Sequence, residues 1–336
     1  MRLYFFETDD TEKNYLRKHL PGEKLHFSAE PLTTAAQARS IADDAEIVSV
    51  FVRSRLGADV LDNLHALRMI AARSTGYDHI NIPCAESRKI PVCTVPTYGE
   101  NTVAEHTFAL ILALSRNLHK AYVRTVAGNF SLDGLAGFDI KGKTLGVVGV
   151  GHIGEYVMRI AKGFGMHLLA YDPVVDMTKA DHFDFTYTTL EDLLGRSDIV
   201  TLHAPGGPGM RHLIGAHNTS QFKRGALLIN TARGELVDTE ALISALDQGI
   251  LRGAGLDVLE GEEVFSEEKQ LLLNPNASEA SLKQALRNLS LLQRPDMVIT
   301  PHIAFNSAEA VERILDTTIA NIKAFRHGTI QNEVHT

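Results

Sequence analysis

The stretch Gly149-Val150-Gly151-His152-Ile153-Gly154 decides the fold of this chain. The apolar run before it predicts a short strand, and the apolar spacing after it predicts an amphipathic helix. A strand, a glycine turn and a helix form the setting in which this spacing binds a dinucleotide pyrophosphate. Gly149 makes the tight turn, Gly151 lets the backbone approach phosphate, and Gly154 lets the helix pack on the strand. Phosphate then lies at the helix N-terminus, where unpaired N–H groups point at it.

The position of this turn bears on the domain organisation. It begins at residue 149 of 336, so nearly half of the chain precedes it. A chain of this length predicts two domains, and the first must be built before the turn is reached. The hydrophobic fraction of 44% and the charged fraction of 22% are those of an ordinary globular protein. A net charge of −8 argues against a nucleic-acid partner, which favours a basic face.

The two cysteines, Cys84 and Cys93, stand in no ligand-like pattern, so we expect two reduced thiols and no metal site. No apolar run is long enough to span a bilayer, and the N-terminal residues lack the apolar core of a signal peptide. We therefore expect no membrane association and a cytoplasmic location.

Strand-like and helix-like segments alternate along the chain, which predicts parallel α/β sheets. The first hundred residues contain predicted strands at 2–6, 25–28, 47–51, 69–72 and 92–95, and predicted helices at 11–20, 34–42 and 58–66. Six further strands are predicted at 144–149, 167–171, 199–203, 226–230, 253–257 and 297–300. The fold class is therefore α/β with two doubly wound parallel-sheet domains, a flavodoxin-like first domain and a Rossmann dinucleotide-binding domain.

Three other segments carry separate expectations. The predicted helix 103–119 is apolar around most of its circumference, so it is either a domain-spanning core helix or a subunit interface. The predicted helix 307–325 is expected to cross back and pack on the first domain. Residues 263–296 form a long excursion between the fifth and sixth strands of the second set, and helical spacing over 278–292 predicts ordered structure there.

Ligands of an open parallel sheet bind beyond the carboxyl ends of its strands, so the residues that follow each strand are the place to look for a site. Asp172, 23 residues after Gly149, suits the adenosine ribose hydroxyls. Its charge would repel a 2′-phosphate, and no Lys or Arg follows before Lys179, which favours NAD over NADP. The third strand leads into His203-Ala204-Pro205, which is expected to cover the adenine side.

Side chains after the later strands suit hydride transfer to a 2-keto acid. That reaction needs a cation for the substrate carboxylate, an acid for the developing alkoxide, and a group that tunes the acid. Arg233 presents a planar fork suited to a carboxylate, and His302 is a suitable acid. A carboxylate that binds His302 would raise its pKa from about 6.5 and so favour the imidazolium that donates the proton.

At these residues the chain resembles the D-isomer-specific 2-hydroxyacid dehydrogenases, over nearly its whole length. The resemblance implies a substrate domain of residues 1–101 and 302–336, an inserted NAD domain of residues 102–301, and catalysis in the cleft between them. It rests on RSTGYDHIN at 73–81, VPTYGENTVAEHTFAL at 95–110, GVGHIG at 149–154, NTARGELVD at 230–238, GLDVLEGE at 255–262 and TPHIAF at 300–305.

The resemblance also implies a role for each matching residue. Arg233 would anchor the substrate carboxylate and carbonyl, His302 would be the acid and base, and Glu262 would be the partner of His302. Asp257 would hold the nicotinamide carboxamide. Main-chain N–H groups at 74–76 would bind the carboxylate; these residues are Ser74, Thr75 and Gly76. The other implied cofactor residues are Val103, Gly149, Gly151, His152, Ile153, Gly154, Asp172, His203, Ala204, Pro205, Thr231 and Ala232.

Within this family the chain is most similar to the D-lactate dehydrogenases, through the long excursion after Glu262 and the aromatic residue three positions after His302. This similarity implies reversible, NAD-dependent reduction of pyruvate to D-lactate. Phe51, Tyr98 and Phe305 match positions around the methyl group of the substrate. Apolar walls of this kind reject larger or charged side chains by sterics and desolvation. Ordinary core packing of the two phenylalanines is the alternative.

Three residues have no match in the family pattern, and two rival functions fit the same motifs. Met210 stands where the family usually has a polar residue facing the cofactor. Arg53 and Arg55 are either solvated surface or a preference for a second carboxylate or a phosphate on the substrate. One rival is a dehydrogenase of glyoxylate, hydroxypyruvate or a branched 2-keto acid. Another is an NAD(H)-sensing corepressor similar to the C-terminal-binding proteins. For the enzyme we expect a homodimer.

Overall fold

The computed structural model describes residues 1–41, 44–207, 209–261 and 278–335. The chain divides into two compact units, Met1–Tyr98 with Ser307–Thr336, and Gly99–Asn306. In this division His302 belongs to the second unit, together with the glycine turn. Across the described ranges, no helix is both long enough and apolar enough to cross a membrane.

The first unit is built on a five-stranded parallel sheet with the order β2-β1-β3-β4-β5. This is the strand order of flavodoxin-like folds, as the sequence predicted. The strands are β1 (Arg2–Phe5), β2 (Lys24–Phe27), β3 (Ile47–Val50), β4 (Met69–Ala72) and β5 (Val92–Cys93). The helices are Asp10–His19, Ala35–Ile41, Ala58–Leu61, Ile82–Ser87 and Ala308–Arg326.

The helix Ala308–Arg326 completes the core of this first unit. Successive side chains of a strand point to opposite faces, so Leu3 and Phe5 of β1 share one face of the sheet. Both are buried in one cluster with Leu315 and Ile319 of this helix. Burial of each such side chain stabilises the fold by about 1.5–3 kcal/mol. The predicted return of this helix to the first domain is thus what the structure shows.

The second unit is built on a seven-stranded parallel sheet with the order β12-β11-β10-β9-β6-β7-β8. This is the Rossmann order with one further strand at its end. The strands are β6 (Thr144–Val148), β7 (His167–Tyr171), β8 (Thr186–Tyr187), β9 (Ile199–Leu202), β10 (Ala226–Asn230), β11 (Leu251–Leu256) and β12 (Met297–Ile299). The α-helices are Glu100–Ser115, Leu118–Val126, His152–Gly163, Met177–Phe183, Leu190–Arg196, Thr239–Asp247 and Glu279–Leu292, and short 3-10 helices lie at Thr219–Gln221 and Gly234–Leu236.

The predicted fold class is confirmed, and the differences are local. The sequence predicted six strands in the second unit, whereas the structure has a seventh, Thr186–Tyr187. The predicted helix 58–66 ends at Leu61. The predicted helix 103–119 ends at Ser115, because Asn117 takes a left-handed conformation with φ of 52° and starts a new helix at Leu118.

The long excursion of the sequence is described only in part. Its first residues, 263–277, lie outside the described ranges. The predicted helix 278–292 is present as Glu279–Leu292, and the side chain of Ser278 accepts a hydrogen bond from the N–H of Ser281 at its start. Serine is among the preferred residues at this position because its oxygen satisfies one otherwise unpaired N–H group of the first turn.

Candidate active site

The glycine turn has the geometry that a bound pyrophosphate requires. Gly149 has a φ of +95°, and a Cβ there would lie 2.7 Å from the main-chain nitrogen of Ala204. A Cβ on Gly154 would lie 2.3 Å from the carbonyl oxygen of Gly149. At Gly151, by contrast, no described atom other than those of its chain neighbours lies within 4 Å of the Cβ position. The turn is thus closed where it packs on the protein and open where phosphate is expected.

The helix His152–Gly163 begins directly at this open position. Gly151 is the residue that precedes the helix, and it has no side chain with which to cap the first turn. The first N–H groups of a helix have no partner within it, and together with the helix dipole they favour an anion. This arrangement fits the diphosphate of NAD, which His152 and Ile153 would meet through their N–H groups.

Asp172 lies at the carboxyl end of β7 and is tied to the glycine turn. Its Oδ2 accepts the N–H of Val150 at 2.7 Å, and its Oδ1 accepts the N–H of Val174 at 2.9 Å. Each carboxylate oxygen can accept a second hydrogen bond, so both can still receive a ribose hydroxyl. Lys179 donates to the carbonyl of Val150 at 3.1 Å and pairs with Glu155 at 2.7 Å.

The other predicted cofactor residues surround the same edge of the sheet. The N–H of His203 donates to the carbonyl of Val148 at 2.7 Å, and burial lowers the pKa of its imidazole to about 3. Ala204 is buried and Pro205 is exposed. The hydroxyl of Thr231 lies 3.0 Å from that of Thr107, in the helix that also carries Val103.

Arg233 follows β10 and is positioned by a compact turn. The side chain of Asn230, 1% exposed, donates to the carbonyl of Arg233 at 2.8 Å and accepts the N–H of Ala232 at 3.0 Å. A Cβ on Gly234 would lie 2.1 Å from the carbonyl oxygen of Leu259, so only glycine permits this approach of two backbone segments. Asn230 is therefore a positioning residue that the sequence did not reveal.

His302 lies just beyond β12 and adopts a left-handed conformation with φ of 53°. Its main-chain N–H donates to the carbonyl of Asp257 at 2.9 Å. The Asp257 carboxylate accepts the next two N–H groups, from Ile303 at 2.9 Å on Oδ1 and from Ala304 at 2.8 Å on Oδ2. Left-handed geometry is uncommon for residues with a Cβ, and here three hydrogen bonds around Asp257 hold it.

Asp257 has a further partner in His106, which sequence reasoning did not single out. Thr300 donates to Oδ1 of Asp257 at 2.5 Å, and the Nε2 atom of His106 lies 3.0 Å from the Thr300 hydroxyl and 3.5 Å from the same carboxylate oxygen. Burial alone would raise the pKa of Asp257, but hydrogen bonds from His106, Thr300 and the loop N–H groups outweigh it and lower the pKa. The carboxylate is thus ionised, and Oδ2 keeps room for a second donor.

Arg233 and His302 stand at the carboxyl ends of strands in one parallel sheet, at the edge that also carries the glycine turn. Glu262, the predicted partner of His302, lies outside the described residues. Phe305 is half-buried in the same unit, and its Cβ lies 4.0 Å from the Cβ position of Gly99. Met210 is partly buried and packs against the apolar core of this unit.

The remaining predicted substrate residues belong to the first unit. The hydroxyls of Ser74 and Thr75 donate to main-chain carbonyls, those of Gly76 and Val95, each at 2.7 Å. Any anion would therefore meet this turn through its main-chain N–H groups. The carbonyl of Tyr98 accepts a 2.6 Å hydrogen bond from Arg313.

The two additional arginines of the first unit have partners in the protein. Arg55 donates to the carbonyls of Val52 and Ser54, and Arg53 pairs with Glu7. These contacts favour a structural role for both arginines.

The sequence of this chain is similar to those of known dehydrogenases. The family described as D-isomer specific 2-hydroxyacid dehydrogenase, NAD binding domain, matches residues 108–304. The 2-hydroxyacid dehydrogenase A of Aspergillus oryzae is 39% identical over 97% of this chain and 92% of its own. The D-lactate dehydrogenase of Escherichia coli is 35% identical over 99% of this chain and 100% of its own.

The fold of this chain is also similar to that of a solved dehydrogenase structure. The D-lactate dehydrogenase of Aquifex aeolicus, complexed with NAD and lactic acid, is 34% identical and has a TM-score of 0.85. The alignment covers 97% of this chain and 96% of that one. Fold, glycine turn and relatives together define an NAD-dependent dehydrogenase. The chain belongs to the D-isomer specific 2-hydroxyacid dehydrogenase family, and the predicted family and cofactor are confirmed.

Proposed function

We propose that this enzyme interconverts pyruvate and D-lactate. The observation that carries the proposal is the placement of Arg233 and His302 after β10 and β12, at the sheet edge that carries the glycine turn. A cation for a carboxylate and an acid for an alkoxide are what a 2-keto acid needs at that edge. Relatives named D-lactate dehydrogenase, matched over nearly their whole length, support pyruvate as the substrate.

The proposed reaction divides its tasks between two side chains. The guanidinium of Arg233 binds the substrate carboxylate through two parallel hydrogen bonds and so fixes the adjacent carbonyl carbon. NADH, when bound, supplies the hydride that this carbon receives. The imidazolium of His302 passes its proton to the carbonyl oxygen as negative charge develops there. The product carries both hydrogens, and the reverse reaction uses neutral His302 as the base.

Two carboxylates support these tasks in the proposal. Glu262 would bind His302 and raise its pKa, so that the imidazole holds a proton at neutral pH. Asp257 would offer the remaining position on Oδ2 to the nicotinamide carboxamide, while its other hydrogen bonds hold the loop of His302. The walls around the substrate methyl group would be Phe51, Tyr98 and Phe305.

Initial rates with a panel of 2-keto acids test this proposal. Pyruvate, glyoxylate, hydroxypyruvate and a branched 2-keto acid are each compared with NADH and with NADPH. We expect the highest kcat/KM for pyruvate with NADH, and D-lactate as the product by chiral analysis. A higher kcat/KM for another acid would replace pyruvate as the substrate.

The His302→Ala variant separates enzyme from binding protein. We expect it to lose turnover by about 10²–10⁴-fold, the usual contribution of a general acid, and to bind NADH as tightly as the parent by fluorescence titration. A parent protein that binds NADH but turns over none of the acids would instead favour the corepressor function.

We also propose that the enzyme is a homodimer. The helix Leu118–Val126 and the segment after it expose large apolar side chains, which are between 62% and 82% exposed. Several exposed large apolar side chains in one stretch of the chain favour an interaction site. The residues are Leu118, Tyr122, Val123, Val126, Phe130 and Leu132. Light scattering after size exclusion should give twice the chain mass, and Tyr122→Lys with Val126→Lys should give monomers. The cytoplasmic location stays a prediction.

A further inference from the structure

Glu7 is a buried carboxylate that the proposed reaction does not use. It follows β1 in the first unit, and its side chain is 2% exposed. Its φ of 55° lies in the left-handed region, which is uncommon for residues with a side chain. Because burial of a charge is costly unless the charge is paired or hydrogen-bonded, the partners of this carboxylate indicate its role.

The partners of Glu7 are the segment 51–54. Oε2 accepts the N–H of Phe51 at 3.0 Å, the N–H of Ser54 at 3.1 Å and the hydroxyl of Ser54 at 2.5 Å. Oε1 accepts the N–H of Arg53 at 2.8 Å, and the Nε atom of Arg53 lies 3.4 Å away. Three main-chain N–H groups therefore converge on one anion. Hydrogen bonds to a charged acceptor are about twice as strong as neutral ones, so this carboxylate fixes the path of the segment.

Arg73 holds the backbone at Glu7 in place. It follows β4, is 1% exposed, and donates to the carbonyls of Phe6 at 2.6 Å and Glu7 at 2.9 Å. Its Cζ atom lies 6.0 Å from the centroid of the Phe51 ring, within reach of a cation–π contact. The main chain of Phe51 is thus fixed by Glu7, the backbone of Glu7 is held by Arg73, and the Phe51 ring lies beside the Arg73 guanidinium.

We propose that Glu7 is a positioning residue that sets the size of 2-keto acid the enzyme accepts, because it fixes the main chain of Phe51. The inference rests on the proposed function, in which Phe51 is one wall of the substrate pocket. Glu7 itself touches no substrate in this scheme. A side chain that forms a pocket wall discriminates by size only when its own position is held by surrounding contacts.

The variant Glu7→Gln tests this inference. Glutamine keeps one acceptor oxygen but places an NH2 group where the second oxygen accepts N–H donors, so the segment 51–54 must shift. We measure kcat/KM for 2-oxobutanoate and for 4-methyl-2-oxopentanoate, each relative to pyruvate. We expect both ratios to rise by about tenfold or more, in line with the usual effect of one methylene in a pocket, while the KM for NADH stays unchanged.

Two further variants make the result specific. Glu23→Gln is a matched control, because Glu23 is also a carboxylate with a side chain that is only 3% exposed. Glu23 lies just before β2 and pairs with the N-terminus and with Arg326. We expect it to lower Tm and to leave the substrate ratios unchanged. Ser54→Ala removes the 2.5 Å hydrogen bond but keeps the charge of Glu7. It should move the ratios in the same direction by a smaller factor, and it serves alone if Glu7→Gln does not fold.

The possible failures are distinguishable. Parent enzyme that prefers pyruvate, with unchanged ratios in both Glu7→Gln and Ser54→Ala, overturns the role of Glu7 and leaves the proposed function intact. An equal change of the ratios in Glu23→Gln also overturns that role, because it would report general loosening of the unit. Parent enzyme that turns over no 2-keto acid overturns the proposed function itself.

Discussion

The hydroxyl of Thr300 donates a 2.5 Å hydrogen bond to Oδ1 of Asp257, directly before the loop that carries His302. The same carboxylate accepts the two N–H groups that follow His302 in the chain. The uncommon backbone conformation of His302 is therefore held by the ionised side chain of Asp257 together with its main-chain carbonyl, and Thr300 is one of the donors that keep this side chain ionised. Substitutions at Thr300 test this relationship without touching the reacting groups.

The variant Thr300→Val removes the hydroxyl and keeps the shape of the side chain. Loss of a hydrogen bond to a buried carboxylate should lower the free energy of unfolding by about 1.5–3 kcal/mol. It should also reduce kcat, because the loop of His302 is held less firmly. Chemical denaturation and initial rates measure both effects. Thr300→Ser keeps the hydroxyl and should retain most of the unfolding free energy and of kcat. Equal losses of both in Thr300→Val and Thr300→Ser would contradict a role for the hydrogen bond.

Alanine at Gly151 should weaken cofactor binding, whereas alanine at Gly154 should destabilise the fold. Gly151→Ala places its methyl group in open space among the described residues, so Tm should stay near that of the parent. The same methyl group lies where phosphate is expected, and NADH affinity should fall by about tenfold or more, the loss expected of a displaced charge-assisted contact. Gly154→Ala forces a contact with the carbonyl of Gly149, so it should destabilise the fold by about 1–3 kcal/mol. Fluorescence titration and thermal denaturation separate the two effects, and a stable Gly154→Ala protein would show that the turn can relax.

Asp172 should control the choice between NADH and NADPH. Asp172→Asn removes the negative charge but keeps an acceptor oxygen for the N–H of Val150 or Val174. Because Lys179 is bound to the same turn, a 2′-phosphate then meets a cation without the repelling carboxylate. The ratio of kcat/KM for NADPH to NADH should rise by about 10–100-fold, as for one hydrogen bond to a charged group. Asp176→Asn changes an acid at the start of the next helix and should leave the NADPH-to-NADH ratio unchanged. A similar rise in Asp176→Asn would show that the loss of one negative charge, and not the position of Asp172, sets the ratio.

The imidazole of His203, whose Nδ1 atom is buried, should make the fold sensitive to acid. Its pKa is about 3 because burial disfavours the charged form, whereas an exposed histidine has a pKa of about 6.5. The unfolded chain therefore binds a proton below pH 6.5 that the folded chain does not bind, so stability falls as pH decreases from about 6.5 towards 3. The slope from this one group is about 1.4 kcal/mol per pH unit. His203→Gln should flatten the dependence of unfolding free energy on pH, measured without cofactor, whereas substitution of the exposed His167 should leave it unchanged. Parallel curves for parent and His203→Gln would refute the assignment.

The sequence predicted what periodicity and local spacing encode. Parallel strands, the glycine turn and the order of side chains at strand ends are all local signals, and the structure contains them. The strand Thr186–Tyr187 was missed because two residues carry no alternating pattern. The roles of His106 and Glu7 were missed for another reason: Thr300, the partner of His106, is 194 residues away in sequence, and the partners of Glu7 are more than 40 residues away. Hydrogen bonds between residues so far apart in sequence depend on the assembled sheet, and no local sequence pattern predicts them.

The helix Ala308–Arg326 covers a face of the first sheet that contains Leu3 and Phe5. During synthesis on the ribosome, residues 99–306 emerge as one uninterrupted segment and can complete their own sheet early. The strands made first have no such opportunity, because the helix that shields them is translated some three hundred residues later. The first unit therefore reaches its final core after the second, and the nascent N-terminal strands expose apolar surface for most of translation. A fusion that delays the synthesis of residues 307–336 should consequently lower the yield of folded protein. The molecules that do fold should keep the kcat of the parent.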